Sequence, residues 1–234
     1  MGIAQGEGRF QLQDPVTHFY PAMHAHPGVR MADLLHWASG LDWQEDYEYA
    51  PLKSSVVAML YTRGREDMAA YTAAREAVAS PGQRFLYSSG DSNLLAAALR
   101  GMLDAGQYPD YPWHALFIPL GIDSAVWERD RAGTYVGSSY LYLSARDLAR
   151  IGLLMQRDGR WQDRQLLPKP WVAFNRTPFA EPKHCPARPT PVATGGSISR
   201  WSALPGLGRV LPRTPTQPLA TGARRCTCCP RKSW

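Results

Sequence analysis

Residues 81–99 read PGQRFLYSSGDSNLLAAAL, and the rest of the chain is organised around them. Pro81-Gly82 punctuates the backbone. Arg84-Phe85-Leu86-Tyr87 is extended and aromatic, which predicts a short strand. Ser88, Ser89, Gly90 and Asp91 make a polar turn, with Asp91 as the expected helix cap. Leu94, Leu95, Ala98, Leu99 and Met102 then recur at helical spacing and predict a buried helix. Tyr87 and Ser89 therefore stand where an extended segment turns into a packed helix. Pattern alone allows a core tyrosine before an ordinary helix, or two polar side chains held rigidly at a cleft.

The pattern PG-x-x-F-x-Y-S-S-G-D-x-x-LL resembles the second motif of the serine β-lactamase-like hydrolases. That family includes class C β-lactamases, DD-peptidases, related esterases and 6-aminohexanoate-oligomer hydrolases. Its second motif is Tyr-x-Asn or Tyr-x-Ser, here Tyr87-Ser88-Ser89. Two further stretches are similar to the family. DLLHWASGLDWQEDY (33–47) matches its LL-x-x-x-SGL-x-W-x-E-x-Y segment, and SARDLARIGLLMQRDGRW (144–161) matches its ARDLAR-x-G-x-L helix. The likeness runs over residues 1–174.

The resemblance implies an α+β, β-lactamase/transpeptidase-like fold, here mainly its helical lobe with few strands and an irregular C-terminal tail. It implies acyl transfer through a serine, without cofactor or metal, on a small-molecule or peptide-like substrate. Tyr87 becomes a candidate general base, and Ser89 the motif's third position and a substrate or proton-relay contact. Trp43, Glu45 and Tyr47, on an aromatic and acidic loop, become candidate substrate contacts. Ser89 in place of Asn leans toward the esterase and oligomer-hydrolase branch.

The family's nucleophile lies in Ser-x-x-Lys, where one helical turn sets both side chains on one face. A tyrosine has a pKa near 10, so a lysine field must lower it by about 3, or about 4 kcal/mol, before it acts as a base at neutral pH. A Lys-Thr-Gly or His-x-Gly strand lines the other wall and supplies an oxyanion amide. None of this is complete here. Three residues before Lys53, Lys169, Lys183 and Lys232 stand Ala50, Leu166, Ala180 and Cys229, so no Ser-x-x-Lys occurs. No Lys-Thr-Gly follows, and His26-Pro27-Gly28 precedes the second motif, the wrong order. No Gly-x-Ser-x-Gly elbow offers another serine.

In family members a segment similar to GIAQGEGRFQLQDPV follows directly on the Ser-x-x-Lys helix. The resemblance thus implies that Met1 falls inside that helix and that the chain is a truncated member. From residue 175 the composition changes. Residues 175–234 hold ten of the twenty prolines, all four cysteines, ten Lys or Arg and one acid, so they carry +9 while residues 1–174 carry −3. Upstream, residues 1–8 read as the end of a helix closed by glycines and Asp14-Pro15 as a helix start. Ser54-Ser55 reads as the cap of a helix, and 66–78 as a helix on Met68, Tyr71 and Val78. Residues 127–131 and 135–143 read as extended runs, and Ser144-x-x-Asp147 as a capping-box variant. From 175 on, helical and strand periodicity stops. The expectation is a partial domain over 1–174 and a disordered or frameshifted tail over 175–234. Resequencing the locus tests the frameshift; one uninterrupted frame encoding the same tail would sink it.

The basic tail has no helical period and no aromatic stacking pattern, so nucleic acid is not an expected partner. Cys226-Thr227-Cys228-Cys229 lacks a second ligand pair at zinc-like spacing. His18, His24 and His26 share no helix face and read as solvated loop residues. No apolar run is long enough to span a membrane. MGIAQGEG is not a secretory signal, but with the start expected inside a helix the compartment stays open.

Overall fold

The computed structural model describes residues 1–180. Within them the chain is mostly short helices joined by tight turns. α1 (Gly2–Gly6) ends as its glycines predict. The expected helix after Asp14-Pro15 is instead two 3-10 turns, Val16–His18 and Pro21–Ala25. Two things break it. Val16 N is drawn to Val29 O at 2.9 Å, and Pro21 cannot continue a preceding helix.

α2 (Met31–Leu35) buries Met31, Leu34 and Leu35. α3 (Ser55–Tyr61) starts at the predicted cap, where Ser54 Oγ accepts from Val57 N at 3.3 Å. α4 (Met68–Ala73) is shorter than the helix expected over 66–78. Its continuation pairs with residues 40–42 instead: Val78 N donates to Gly40 O and Asp42 N to Glu76 O, both at 2.8 Å. Val78, expected to be buried, is exposed.

α5 (Ser89–Gly101) is the longest helix among the described residues and the one against which α2, α3 and α4 pack. Leu94 and Ala98 are fully buried on it. A Cβ on Gly90 would lie 2.6 Å from Thr72 Cγ2 and 2.7 Å from Trp43 Cζ3. Only glycine lets α5 approach α4 and Trp43 this closely. After it, a π-helical turn at Trp113–Phe117 runs into α6 (Ile118–Leu120).

The extended runs expected over 127–131 and 135–143 shrink to one antiparallel pair, β1 (Val126–Trp127) with β2 (Leu141–Tyr142), registered Val126 to Tyr142 and Trp127 to Leu141. Between them the backbone pairs only in part, at an isolated antiparallel bridge Arg129–Tyr135 and through Val136 N to Glu128 O and Glu128 N to Tyr140 O, both at 3.1 Å, and side chains add to it. The Trp127 and Tyr135 rings stack at 4.8 Å, and Tyr135 OH donates to Pro109 O at 2.6 Å.

α7 (Ala145–Gln156) is capped by Ser144, whose Oγ accepts from Asp147 N at 3.2 Å. The return half of the capping box is rerouted: Ser144 N donates to Ser124 Oγ, and Ser124 Oγ donates to Asp147. β3 (Arg160–Trp161) and β4 (Arg164–Gln165) form a second antiparallel pair, and α8 (Lys169–Arg176) closes the described chain. Phe10, Val16, Met31, Leu34, Leu94, Phe117, Leu154 and Trp171 share one core, so α1 and α8 pack with α2 and α5. The described residues thus form a helix-rich α+β fold with two short two-stranded sheets.

The frameshift reading and the question of the cysteines fall on residues outside those described, as does most of the 175–234 tail. Among the described residues no helix is long and apolar enough to cross a membrane.

Candidate active site

The segment 84–87 forms no strand. Its backbone is held to a loop, through Leu86 N to Trp37 O at 2.8 Å. Extended sequence becomes a strand only beside another edge, and what adjoins it here is the loop after α2.

The helix start also differs from expectation. Ser88, not Asp91, caps α5, its Oγ accepting from Asp91 N at 3.0 Å. The Asp91 side chain is buried and turns away from the helix end, accepting from Ser39 Oγ at 2.7 Å and Ser39 N at 3.4 Å. Burial pushes its carboxyl up to about 7; the Ser39 and Ser88 bonds oppose this, and the Asp33 charge adds to it.

Tyr87 is 46% exposed, with its ring 5.0 Å from that of Trp37. Ser89 is buried and gripped by Glu45 through both oxygens: Ser89 Oγ donates to Oε1 at 2.5 Å and Ser89 N to Oε2 at 3.1 Å. Trp43 Nε1 donates to the same Oε2 at 2.5 Å. Trp43 itself is buried among Val56, Met59, Met68 and Val136. Tyr47 lies further along the loop and is 58% exposed. Of the five sequence-predicted residues, the structure joins Trp43, Glu45 and Ser89 in one hydrogen-bonded unit beside Tyr87, and leaves Tyr47 in solvent.

The geometry fixes what Ser89 can offer. A hydroxyl has one proton, and this one is given to Glu45. Toward any further partner Ser89 Oγ presents lone pairs only. The Glu45 carboxylate accepts three bonds, two of them from the first residue of α5, where negative charge is favoured by the helix dipole.

Sequence reading passed over the other side of this unit. Asn93, one turn after Ser89, is buried. Its Nδ2 donates to Ser89 O at 2.9 Å and to Ser138 Oγ at 3.0 Å, and its Oδ1 accepts from Gly137 N at 3.1 Å. A Cβ on Gly137 would fall 2.2 Å from Ser92 O, so glycine is what lets this loop settle on α5. Ser138 and Ser139 are thereby brought to the first turn of the helix. The available signal was a polar residue four after Ser89 in a helix otherwise rich in Leu and Ala.

Among the described residues no group of three or more His, Cys, Asp or Glu side chains is placed to hold a metal.

A beta-lactamase family model matches residues 2–219. No curated protein sequence matches the chain. Solved structures share the fold at low identity. A protein assigned as a 6-aminohexanoate-dimer hydrolase from Bacillus anthracis is 18% identical, with TM-score 0.63 over 76% of this chain and 49% of its own. A penicillin-binding protein from Bacillus halodurans is 17% identical, with TM-score 0.58 over 82% and 65%. The octameric penicillin-binding protein homologue from Pyrococcus abyssi is 20% identical, with TM-score 0.55 over 83% and 49%. The chain spans about half the length of the first and the last of these, and 65% of the second. The family match covers nearly the whole sequence, and the chain belongs to the beta-lactamase family.

Proposed function

We propose that this chain carries the tyrosine wall of a serine-hydrolase site and is catalytically silent as these 234 residues. Tyr87 is the wall's general base, and Ser89 its substrate-facing acceptor. Glu45 and Trp43 hold Ser89, and Tyr47 is a solvent-side substrate contact. The observation that carries the reading is the Glu45–Ser89 grip, which holds Ser89 at the start of α5.

The substrate class is a small or peptide-like molecule with an amide, lactam or ester bond. Family membership supports it, and so do structural neighbours described as penicillin-binding proteins and a D-stereospecific amidohydrolase. Silence follows from composition. The sequence contains no Ser-x-x-Lys, the motif that carries the family's nucleophile. Loss of the nucleophile alone costs a serine hydrolase about a millionfold in turnover. The chain is then a fragment, in function, of an acyl-transfer enzyme. A fluorophosphonate probe tests this: no labelling is expected, and stoichiometric labelling at any serine overturns it.

The missing Ser-x-x-Lys also favours a second reading, a non-catalytic relative whose helical lobe binds a partner or peptide. An in-frame Ser-x-x-Lys upstream in the genomic DNA decides for the fragment, and its absence decides for the binding lobe.

A further inference from the structure

Asp91 sits at 1% exposure between two elements. Its own helix supplies the tie from Asp91 N to Ser88 Oγ, and the loop after α2 supplies both Ser39 donors. Two residues before Ser39 stands Trp37, with a backbone φ of +53° that side chains rarely adopt. Trp37 O receives Leu86 N at 2.8 Å, its Nε1 reaches Ser92 Oγ at 3.4 Å, and its ring faces Phe85 at 6.0 Å and Tyr87 at 5.0 Å. A strained turn thus connects the buried carboxyl to the ring on which Tyr87 rests.

We propose that Asp91 is a positioning residue for Tyr87: its carboxyl latches Ser39, and gain or loss of its proton shifts Trp37 and, with it, the tyrosine. The proposal rests on the reading of Tyr87 as the site's tyrosine, but the latch itself needs no catalysis.

The physical basis is the cost of a buried charge. The two Ser39 donors suit a carboxylate, whereas the neutral acid that burial favours carries an O–H needing an acceptor, so protonation must turn Ser39 Oγ from donor to acceptor. A carboxylate at this depth needs closer or additional donors and draws its neighbours in. The surroundings supply little counter-charge. Asp33 of α2 opposes ionisation. The residues of α3 and α4 include Tyr61 and Tyr71 as titratable groups. Asp42 is paired with Arg75 at 2.6 Å, and Glu45 is engaged by Ser89 and Trp43. His36 adjoins Trp37 in sequence and packs on Phe174 and Phe179. With burial holding Asp91 up to about 7, the proton is exchanged near neutrality.

The test is 19F NMR of the full chain labelled with 5-fluorotryptophan, with the Trp37 line assigned by Trp37→Phe. In the unsubstituted protein the Trp37 line is expected to move with one midpoint near 7. Asp91→Asn imitates the protonated acid and should hold the line still, while Ser39→Ala should shrink its movement. His36→Gln should leave the titration in place. The proposal is overturned if the line does not move, if it moves equally in Asp91→Asn, or if His36→Gln abolishes the movement. Fluorophosphonate labelling would overturn the reading of the chain as silent and leave this titration unaffected, so the two failures are distinct.

Discussion

Glu45 holds Ser89 by two bonds from one carboxylate, Oγ to Oε1 at 2.5 Å and N to Oε2 at 3.1 Å, across forty-four residues of sequence. Charge-assisted bonds of this kind are shorter and about twice as strong as neutral ones. The pair fastens the aromatic loop to the first residue of α5 and anchors Trp43 to the same oxygen.

Glu45→Ala is expected to lower stability by about 2–3 kcal/mol, because it leaves Ser89 and the Trp43 indole without their acceptor. Glu45→Gln keeps an oxygen and should cost about half as much. Urea denaturation of the full chain measures both, and an equal loss would mean that charge adds nothing to the grip.

Asp91 makes stability depend on pH in a defined direction. Burial holds its folded pKa at about 7, above the ordinary aspartate value of 3.8, so the unfolded chain loses this proton first. The folded state is favoured below about 3.8, and this contribution is lost as pH rises through 7, by up to about 4 kcal/mol in all. Asp91→Asn should flatten that interval. Urea midpoints taken across it would contradict the assignment if the substituted chain kept the same slope.

Asn93 satisfies three polar groups from a buried position. Asn93→Leu should cost about 2–4 kcal/mol, since it strands Ser89 O and Gly137 N away from water. Hydrogen exchange at the Gly137 amide is the local readout and should speed up more than exchange in α7.

Gly137→Ala places a methyl group against Ser92 O. The loop must lift, and a loss of about 1–3 kcal/mol is expected, as for other overpacked contacts. Thermal unfolding measures it; an unchanged midpoint would show that the loop has room to shift.

Ser144→Ala removes a helix cap and is expected to cost about 1 kcal/mol. Because Ser124 also bonds Asp147, the loss should grow when Ser124→Ala is added, by more than the sum of the single changes.

Much of this was legible in the chain itself. Ser54 and Ser144 cap the helices they were expected to cap, since a cap is a local contact between a side chain and an amide two or three residues on. The long helix after Tyr87 follows from the spacing of Leu94, Leu95 and Ala98. The family follows from Tyr87-Ser88-Ser89 and the two flanking motifs, and the absence of Ser-x-x-Lys is a fact of the sequence.

Other features depended on distant partners. Residues 84–87 have strand composition but lie against Trp37, so no ladder forms. Asp91 has cap chemistry, yet Ser39 takes its side chain and leaves the cap to Ser88. The 66–78 helix stops at Ala73 because residues 40–42 compete for its backbone. Local sequence determined where α3 and α7 begin and which chemistry the motif can hold. Which side chains meet at Ser89, and in which direction its only proton points, was decided by packing that brings Glu45, Asn93 and Ser138 together from separate parts of the chain, because a hydrogen bond depends on position in space and not on separation in sequence.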